Sequence, residues 1–228
     1  MNYELFKMRY LSVFYKDEEI LKALSDIHLK GNWYDLDCTF SKGNFYKNIE
    51  EPKLKSDLTP LREDVIKSNS SSLQFIDDGS LKSIVFDPPF LFRKRKSINN
   101  DNQSNFYTYF KSYEEMIDMY KASLDCFKNK LTKGGYVFFK CQDMTDGKFY
   151  DTHTEIIKIA RDLNFILKDI AIKVCTNKQQ RDAKQQNCVA KVHSYWIVLK
   201  KGSLTTRHIQ VNKSIIVSEP QRMPYELK

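Results

Sequence analysis

A doubly wound α/β fold, with a mostly parallel sheet, helices on both faces and an antiparallel hairpin at its end, is what this 228-residue sequence predicts. Three observations carry that expectation. Short apolar runs alternate with stretches of helical period through most of the chain, the pattern of successive βαβ units. One run, "SIVF" at 83–86, is apolar without interruption, as in strands buried on both faces of a parallel sheet. The last two runs, "ILKDIAIKV" and "SYWIVLKK", are separated by a polar loop and no helical stretch, so they pair as an antiparallel hairpin at the sheet edge.

In chain order, "EEILKALSDIH" (18–28) sets Ile20, Leu21, Leu24 and Ile27 on one helical face. "NWYDLD" (32–37) reads as a strand leading into "CTFSKGNFYK", and "PKLKSD" (52–57) as a second short strand. "SIVF" follows a polar stretch rich in Ser and Asn, and residues 91–112 read as a long basic loop. "YEEMIDMYKASLDCFKNKL" (113–131) carries Met116, Ile117, Tyr120, Leu124, Phe127 and Leu131 on one stripe and is an amphipathic helix. "TKGGYVFFKCQD" (132–143) reads as a glycine helix stop followed by a strand, and "THTEIIKIARDLNF" (152–165) as a further helix before the final pair. The expected organisation is one domain over residues 1–202. Its N-terminal part, 1–31, is helical, 91–112 and 175–193 are substrate loops, and 203–228 is an extension.

Composition narrows the class. Apolar residues make up 41% and aromatic residues 13% of the chain, which is enough for a packed core. No run approaches the roughly 20 apolar residues of a membrane span, and the charged N-terminus does not read as a signal peptide, so a cytoplasmic location is expected. Cysteines 38, 126, 141, 175 and 188 form no CxxC pair and have no histidines at ligand spacing, so reduced thiols and no metal are expected. The net charge of +8 suits a polyanion, and Arg93, Lys94, Arg95 and Lys96 form its densest run.

That run follows a rigid corner. In "SLKSIVFDPPFLF", Asp87, Pro88, Pro89 and Phe90 come directly after the apolar strand. Neither proline has an N–H, and the residue before a proline is held extended, so the corner is stiff and rich in acceptors. In open α/β sheets ligands bind outside the carboxyl ends of the strands, where Asp87 falls. An exocyclic base amine has two N–H donors and a lone pair delocalised into the ring. A carboxylate and a backbone carbonyl can hold both hydrogens and draw the nitrogen toward a tetrahedral form. Phe90 can stack on the base, worth about 1–3 kcal/mol, once the base is unstacked from its neighbours. Lys140, Gln142 and Asp143 end another strand at the same edge. His153, His193 and Tyr195 read as a cap or surface residue and as packing residues.

"DPPF" at 87–90 resembles motif IV of the S-adenosylmethionine-dependent amino-methyltransferases, which methylate exocyclic nitrogens of adenine, cytosine or guanine. "YDLDCTFSKGNFYK" (34–47) is similar to the methyl-donor motif I of that family, and "LTKGGYVFFKCQD" to the strand after motif IV. The order is most like that of phage and bacterial DNA adenine-N6 methylases. The resemblance implies a class I, Rossmann-like methyltransferase fold and S-adenosyl-L-methionine as cofactor. It implies a cofactor site at Asp37, Cys38, Thr39, Gly43 and Asp57, the last at the spacing of a ribose-binding acid. Asp87 to Phe90 would be catalytic and Arg93 to Lys96 would bind nucleic acid, DNA ahead of RNA.

One departure stands out: the motif I loop often has two or more glycines and here has only Gly43. Three functions therefore stay open: a DNA adenine-N6 methyltransferase, an RNA methyltransferase acting on adenine N6 or guanine N2, and a non-catalytic nucleic-acid-binding subunit of the same fold. The absence of a large insertion for target recognition suits RNA shape recognition, a short DNA target, or help from a partner subunit or a homodimer.

Overall fold

Alternating burial along the central strands builds the architecture. The structure, a computed structural model, describes residues 10–92, 110–175 and 189–202. In β5 (Leu81–Phe86), Ile84 and Phe86 pack to one face of the sheet and Val85 to the other. The same period of two recurs in β6 (Leu131–Cys141), with Val137 and Phe139 against Phe138, and in β10 (His193–Lys201), with Ile197 and Leu199 against Trp196 and Val198. Both faces are thus apolar, and both must be covered.

Helix α1 (Asp17–His28) covers one face with Ile20, Leu21 and Leu24, which meet Tyr34, Phe138 and Trp196. Helices α2 (Tyr113–Lys130) and α3 (Thr152–Asp162) cover the other with Met116, Tyr120, Leu124, Phe127, Ile156 and Ala160. Ser112 caps α2 by accepting from Glu115 N at 3.2 Å, and Asn164, at φ 63°, closes α3 before β9 (Phe165–Val174).

Eight strands form the main sheet in the order β1-β9-β10-β6-β5-β2-β3-β4, where β1 is Val13–Phe14, β2 Leu36–Asp37, β3 Leu54–Asp57 and β4 Ile66–Lys67. β10 alone runs against its neighbours; every other pairing is parallel. From β2 the chain winds out through β3 and β4, returns to β5 on the other side, and winds away through β6. The switch point therefore lies between β2 and β5. The expected doubly wound, mostly parallel sheet and its antiparallel hairpin, β9–β10, are both present, but β1 beside β9 takes the edge itself. A small separate hairpin joins β7 (Met144–Asp146) to β8 (Lys148–Tyr150).

Several local expectations are corrected. The strand at 32–37 is only two residues long, because Asn32 and Tyr34 are drawn back onto α1 through Ser25 Oγ to Asn32 O and Tyr34 Oη to Leu21 O, each 2.7 Å. Glycine does not stop α2: Leu131 is already extended and paired with Leu81, and Gly134, at φ 78°, sits in a bulge before Tyr136 rejoins Ser83. The N-terminal part is not helical throughout, since Val13 and Phe14 form an edge strand beside β9. No helix among the described residues is long and apolar enough to cross a membrane.

Candidate active site at the switch point of the sheet

One hydroxyl joins the two predicted motifs. β2 and β5 lie side by side with Leu36 opposite Ile84 and Asp37 opposite Val85, so Asp37 and Asp87 end neighbouring strands. Cys38 N donates to Val85 O at 3.2 Å, which extends the ladder. Thr39 Oγ1 then accepts from Asp87 N at 2.7 Å and donates to Asp37 Oδ1 at 3.3 Å, while Thr39 N donates to the same oxygen at 2.9 Å. Tyr46 Oη donates to Asp37 Oδ2 at 2.8 Å. Burial pushes Asp37 up to about 7, and the Asp87 charge adds to this against the pull of the hydrogen bonds.

The loop after β2 folds over its own side chain. Ser41 and Gly43 take left-handed backbone, at φ 50° and 72°. Gly43 N donates to Phe40 O at 2.8 Å, and a Cβ on Gly43 would meet Phe40 Cζ at 2.6 Å. The Phe40 ring stacks on Tyr46 at 5.5 Å, with the Arg62 guanidinium 5.0 Å above it. Gly43 thus answers to Phe40, whose ring a side chain at this position would displace. Asp57 is likewise engaged: Oδ2 accepts from Ser41 N at 2.9 Å and Oδ1 from Thr59 N at 2.8 Å. It holds the loop shut onto β3, with lone pairs left over on both oxygens.

Asp87 is steered by charges from three other elements. Lys140 Nζ, on β6, lies 3.7 Å from Asp87 Oδ2 and 3.1 Å from Asp17 Oδ1 at the start of α1. Asp17 also holds Lys173 Nζ at 2.8 Å and accepts from Trp196 Nε1 at 2.9 Å. The Lys140 ammonium sits 4.3 Å over the Phe45 ring. Burial pushes Asp87 up to about 6, with Lys140 pulling against it. Burial by itself would lower Lys140, but Asp87 and Asp17 outweigh it and hold its pKa up. Burial would raise Asp17, yet Lys140 and Lys173 bring it down. Asp87 Oδ1 is buried and has no hydrogen-bond partner among the described residues.

The prolines complete the corner. Pro89 O accepts from Tyr120 Oη at 2.7 Å, which ties the turn to α2. Pro88 O accepts no hydrogen bond among the described residues, so it and Asp87 Oδ1 are the free acceptors here. Phe90 is half-buried against the α2 face of the core. Beyond it Phe92 packs edge-on to Tyr150 at 4.9 Å. Arg93, Lys94, Arg95 and Lys96 lie outside the described residues, as do Cys188, most of both expected substrate loops and the tail from 203.

The next strand end carries a second polar network. Asp143, 4% exposed, accepts from His153 N at 3.1 Å, pairs with His153 Nδ1 at 2.8 Å and accepts from Tyr195 Oη at 3.3 Å. His193 Nε2 lies 2.9 Å from that hydroxyl, and Gln142 Nε2 donates to His193 O at 3.1 Å. Burial and Asp143 push Tyr195 up to about 12. Sequence reasoning read these residues singly. It also missed Asp17 and Tyr46 entirely, because no local pattern marks either.

No family model matches this chain, and no curated protein matches it. Among solved structures it is similar to a candidate DNA modification methylase of Thermus thermophilus complexed with S-adenosyl-L-methionine, at 15% identity and TM-score 0.43, over 63% of this chain and 57% of that one. It is similar to the N-methyltransferase NodS of Bradyrhizobium japonicum with S-adenosyl-L-homocysteine, at 12% identity and TM-score 0.46, over 81% and 87% of the two chains. A third is the PvuII DNA methyltransferase (cytosine-N4-specific), at 15% identity and TM-score 0.45, over 59% and 47%. The match spans about half the length of both DNA methylases. The fold assignment rests on the strand order itself and not on these likenesses.

Proposed function

We propose that this chain is an S-adenosylmethionine-dependent methyltransferase acting on an exocyclic amine of a nucleic-acid base, adenine N6 in DNA. The observation that carries the reading is a pair of acceptors with no partner among the described residues, Asp87 Oδ1 and Pro88 O, at the switch point where such folds bind ligands. Asp37 is fully engaged by Thr39 and Tyr46, whereas the buried Asp87 Oδ1 is left open and calls for an outside donor. An amine with two hydrogens supplies both donors.

The residues present fit a methyl donor bearing positive charge. Asp37 and Asp87 collect acidic charge at adjoining strand ends, and Asp57 keeps lone pairs suited to sugar hydroxyls. When bound, the cofactor supplies an electrophilic methyl whose bond electrons leave with its sulfur. The chain's own residues do the rest. Asp87 and Pro88 hold the amine hydrogens, so that the lone pair points at the methyl carbon. Lys140, 3.7 Å from the other Asp87 oxygen, draws that oxygen toward itself by charge. As the nitrogen becomes cationic its hydrogen bonds to Asp87 tighten, which is where rate is gained. Asp87, at about 6, can then take up the released proton. Phe90 would stack on the extruded base. Arg93 to Lys96, next along the chain, would hold phosphates.

The test is incubation of the purified chain with labelled S-adenosylmethionine and unmethylated DNA and RNA, followed by mass spectrometry of nucleosides. Label on N6-methyladenine from DNA is expected. Asp87→Ala should lower the single-turnover rate about 10²- to 10³-fold. Asp87→Asn, which keeps an acceptor oxygen, should lose less. Label in RNA alone would move the substrate, and no label in either, or a wild-type rate for Asp87→Ala, would overturn the reading.

A further inference from the structure

We propose that a groove at the amino-terminal edge of the sheet, on the side away from the Asp87 corner, binds a nucleotide through its phosphate and its base together. The groove has a volume of about 360 Å³, at the lower end of the ~300–1,000 Å³ range of small-ligand sites. It opens where β2, β5 and β6 begin. Lys82 and Asp87 stand at opposite ends of β5, five residues apart, or roughly 16 Å at the strand rise. A mononucleotide bound at one end does not reach the other.

The lining has the chemistry of a nucleotide site. Lys30, Lys53, Lys82 and Lys133 face it, with Trp33 and Tyr136 between them. Asp35 is the one acid among the lining residues, and it is already engaged by Lys53 Nζ and Lys82 N, each at 2.7 Å. The ammonium groups of Lys30, Lys82 and Lys133 have no ion-pair or hydrogen-bond partner among the described residues. Lys200 adds charge at the rim, with its ammonium 5.4 Å over the Tyr136 ring. The indole N–H of Trp33 is buried without an acceptor among the described residues. Unneutralised lysines around flat aromatic faces suit a phosphate with a base stacked beside it, a contact worth about 1–3 kcal/mol per base.

The nucleotide could be free or part of a strand, and the experiment separates the two. The chain has two tryptophans, and Trp196 is fully buried near the other strand ends, so Trp33 reports the groove locally. Emission is titrated with AMP and, separately, with a single-stranded DNA oligonucleotide at several salt concentrations. Quenching that disappears in Trp33→Phe is expected. In the Lys30→Ala, Lys82→Ala, Lys133→Ala variant, the slope of log K against log salt should flatten by about 2, at roughly 0.7 per lost phosphate contact on a single strand. These lysines are exposed and their ammonium groups unpartnered, so the variant keeps its fold.

Quenching by AMP assigns the groove to free nucleotide, and quenching by the oligonucleotide alone assigns it to a strand. Absence of quenching by both, quenching that persists in Trp33→Phe, or a triple variant with the wild-type slope overturns the proposal. The outcome is independent of the methyltransferase reading, because Asp87→Ala should leave this signal unchanged.

Discussion

Asp37 and Asp87 are neighbours of the same residue type, yet their surroundings give them different work. Asp37 is 1% exposed and saturated by Thr39 and Tyr46, and it sits at about 7. Asp87 keeps one open oxygen and is held at about 6, because Lys140 offsets part of its burial. Both lie above the ordinary value of 3.8, so between that value and about 7 the folded chain holds protons that the unfolded chain has released. Stability should therefore fall as the pH rises from about 4 through about 7, and level off by about 8. The acids shifted the other way, Asp17, Glu51 and Asp64, act in a separate window: their contribution is present above their ordinary values and is lost only below about pH 4. Asp37→Asn keeps an acceptor for Thr39 and cannot ionise. Thermal denaturation of the ligand-free chain should show a shallower decline toward pH 8 in this variant. An unchanged decline would place its origin elsewhere.

At the scale of elements, the loop between β2 and β3 decides whether the switch point is shaped or slack. Its two left-handed positions differ in kind. Ser41 adopts αL backbone with a side chain, a strain of about 1–2 kcal/mol, while Gly43 adopts it freely. Ser41→Gly should raise stability by about 0.5–1 kcal/mol, the relief less the extra freedom of the unfolded chain. Gly43→Ala should lower it by at least about 1–2 kcal/mol, because the new Cβ meets Phe40 as well as the unfavourable φ. Denaturant midpoints for the two variants should move in opposite directions; movement together would mean the loop is not under this strain. The same loop marks the limit of what is legible in sequence. The three helices and strands β5, β6, β9 and β10 can be read from periodicity, because each presents a long apolar stripe to a sheet buried on both faces. Strands of two or three residues such as β1, β4, β7 and β8 have no period to read, and form because another strand offers them a ladder, β9 for β1 and each other for β7 and β8. The Asp87–Pro88–Pro89 corner is legible because adjacent prolines after an apolar run restrict the backbone so sharply. The tie from Asp87 through Lys140 to Asp17 is not, since it joins β5, β6 and α1 by side chains that look like ordinary surface charges in the sequence.

Across the whole molecule, charge is sorted by the two edges of the sheet. Asp17, Asp37, Asp57, Asp87 and Asp143 gather around the carboxyl ends of the strands, with Lys140 and Lys173 bound among them. Lys30, Lys82 and Lys133 stand at the opposite edge. A net charge of +8 thus hides an acidic pole, and that pole is where the proposed donor, a sulfonium cation, would sit. A cation placed near Asp37 and Asp87 favours their ionised forms and pulls both back toward the ordinary carboxylate value. Binding near pH 6.5, where both are partly protonated, should then release protons. S-adenosylhomocysteine has the same adenosine and amino-acid groups but a neutral sulfur, so it should release fewer. Titration calorimetry of both ligands, in buffers of different ionisation enthalpy, measures the proton count directly. The difference between ligands should be a sizeable fraction of a proton at pH 6.5 and should vanish at pH 8.5, where both carboxylates are already ionised in the free chain. Equal release by the two ligands at pH 6.5 would mean that the sulfur lies away from these carboxylates, and the alignment of methyl and amine at the Asp87 corner would have to be abandoned.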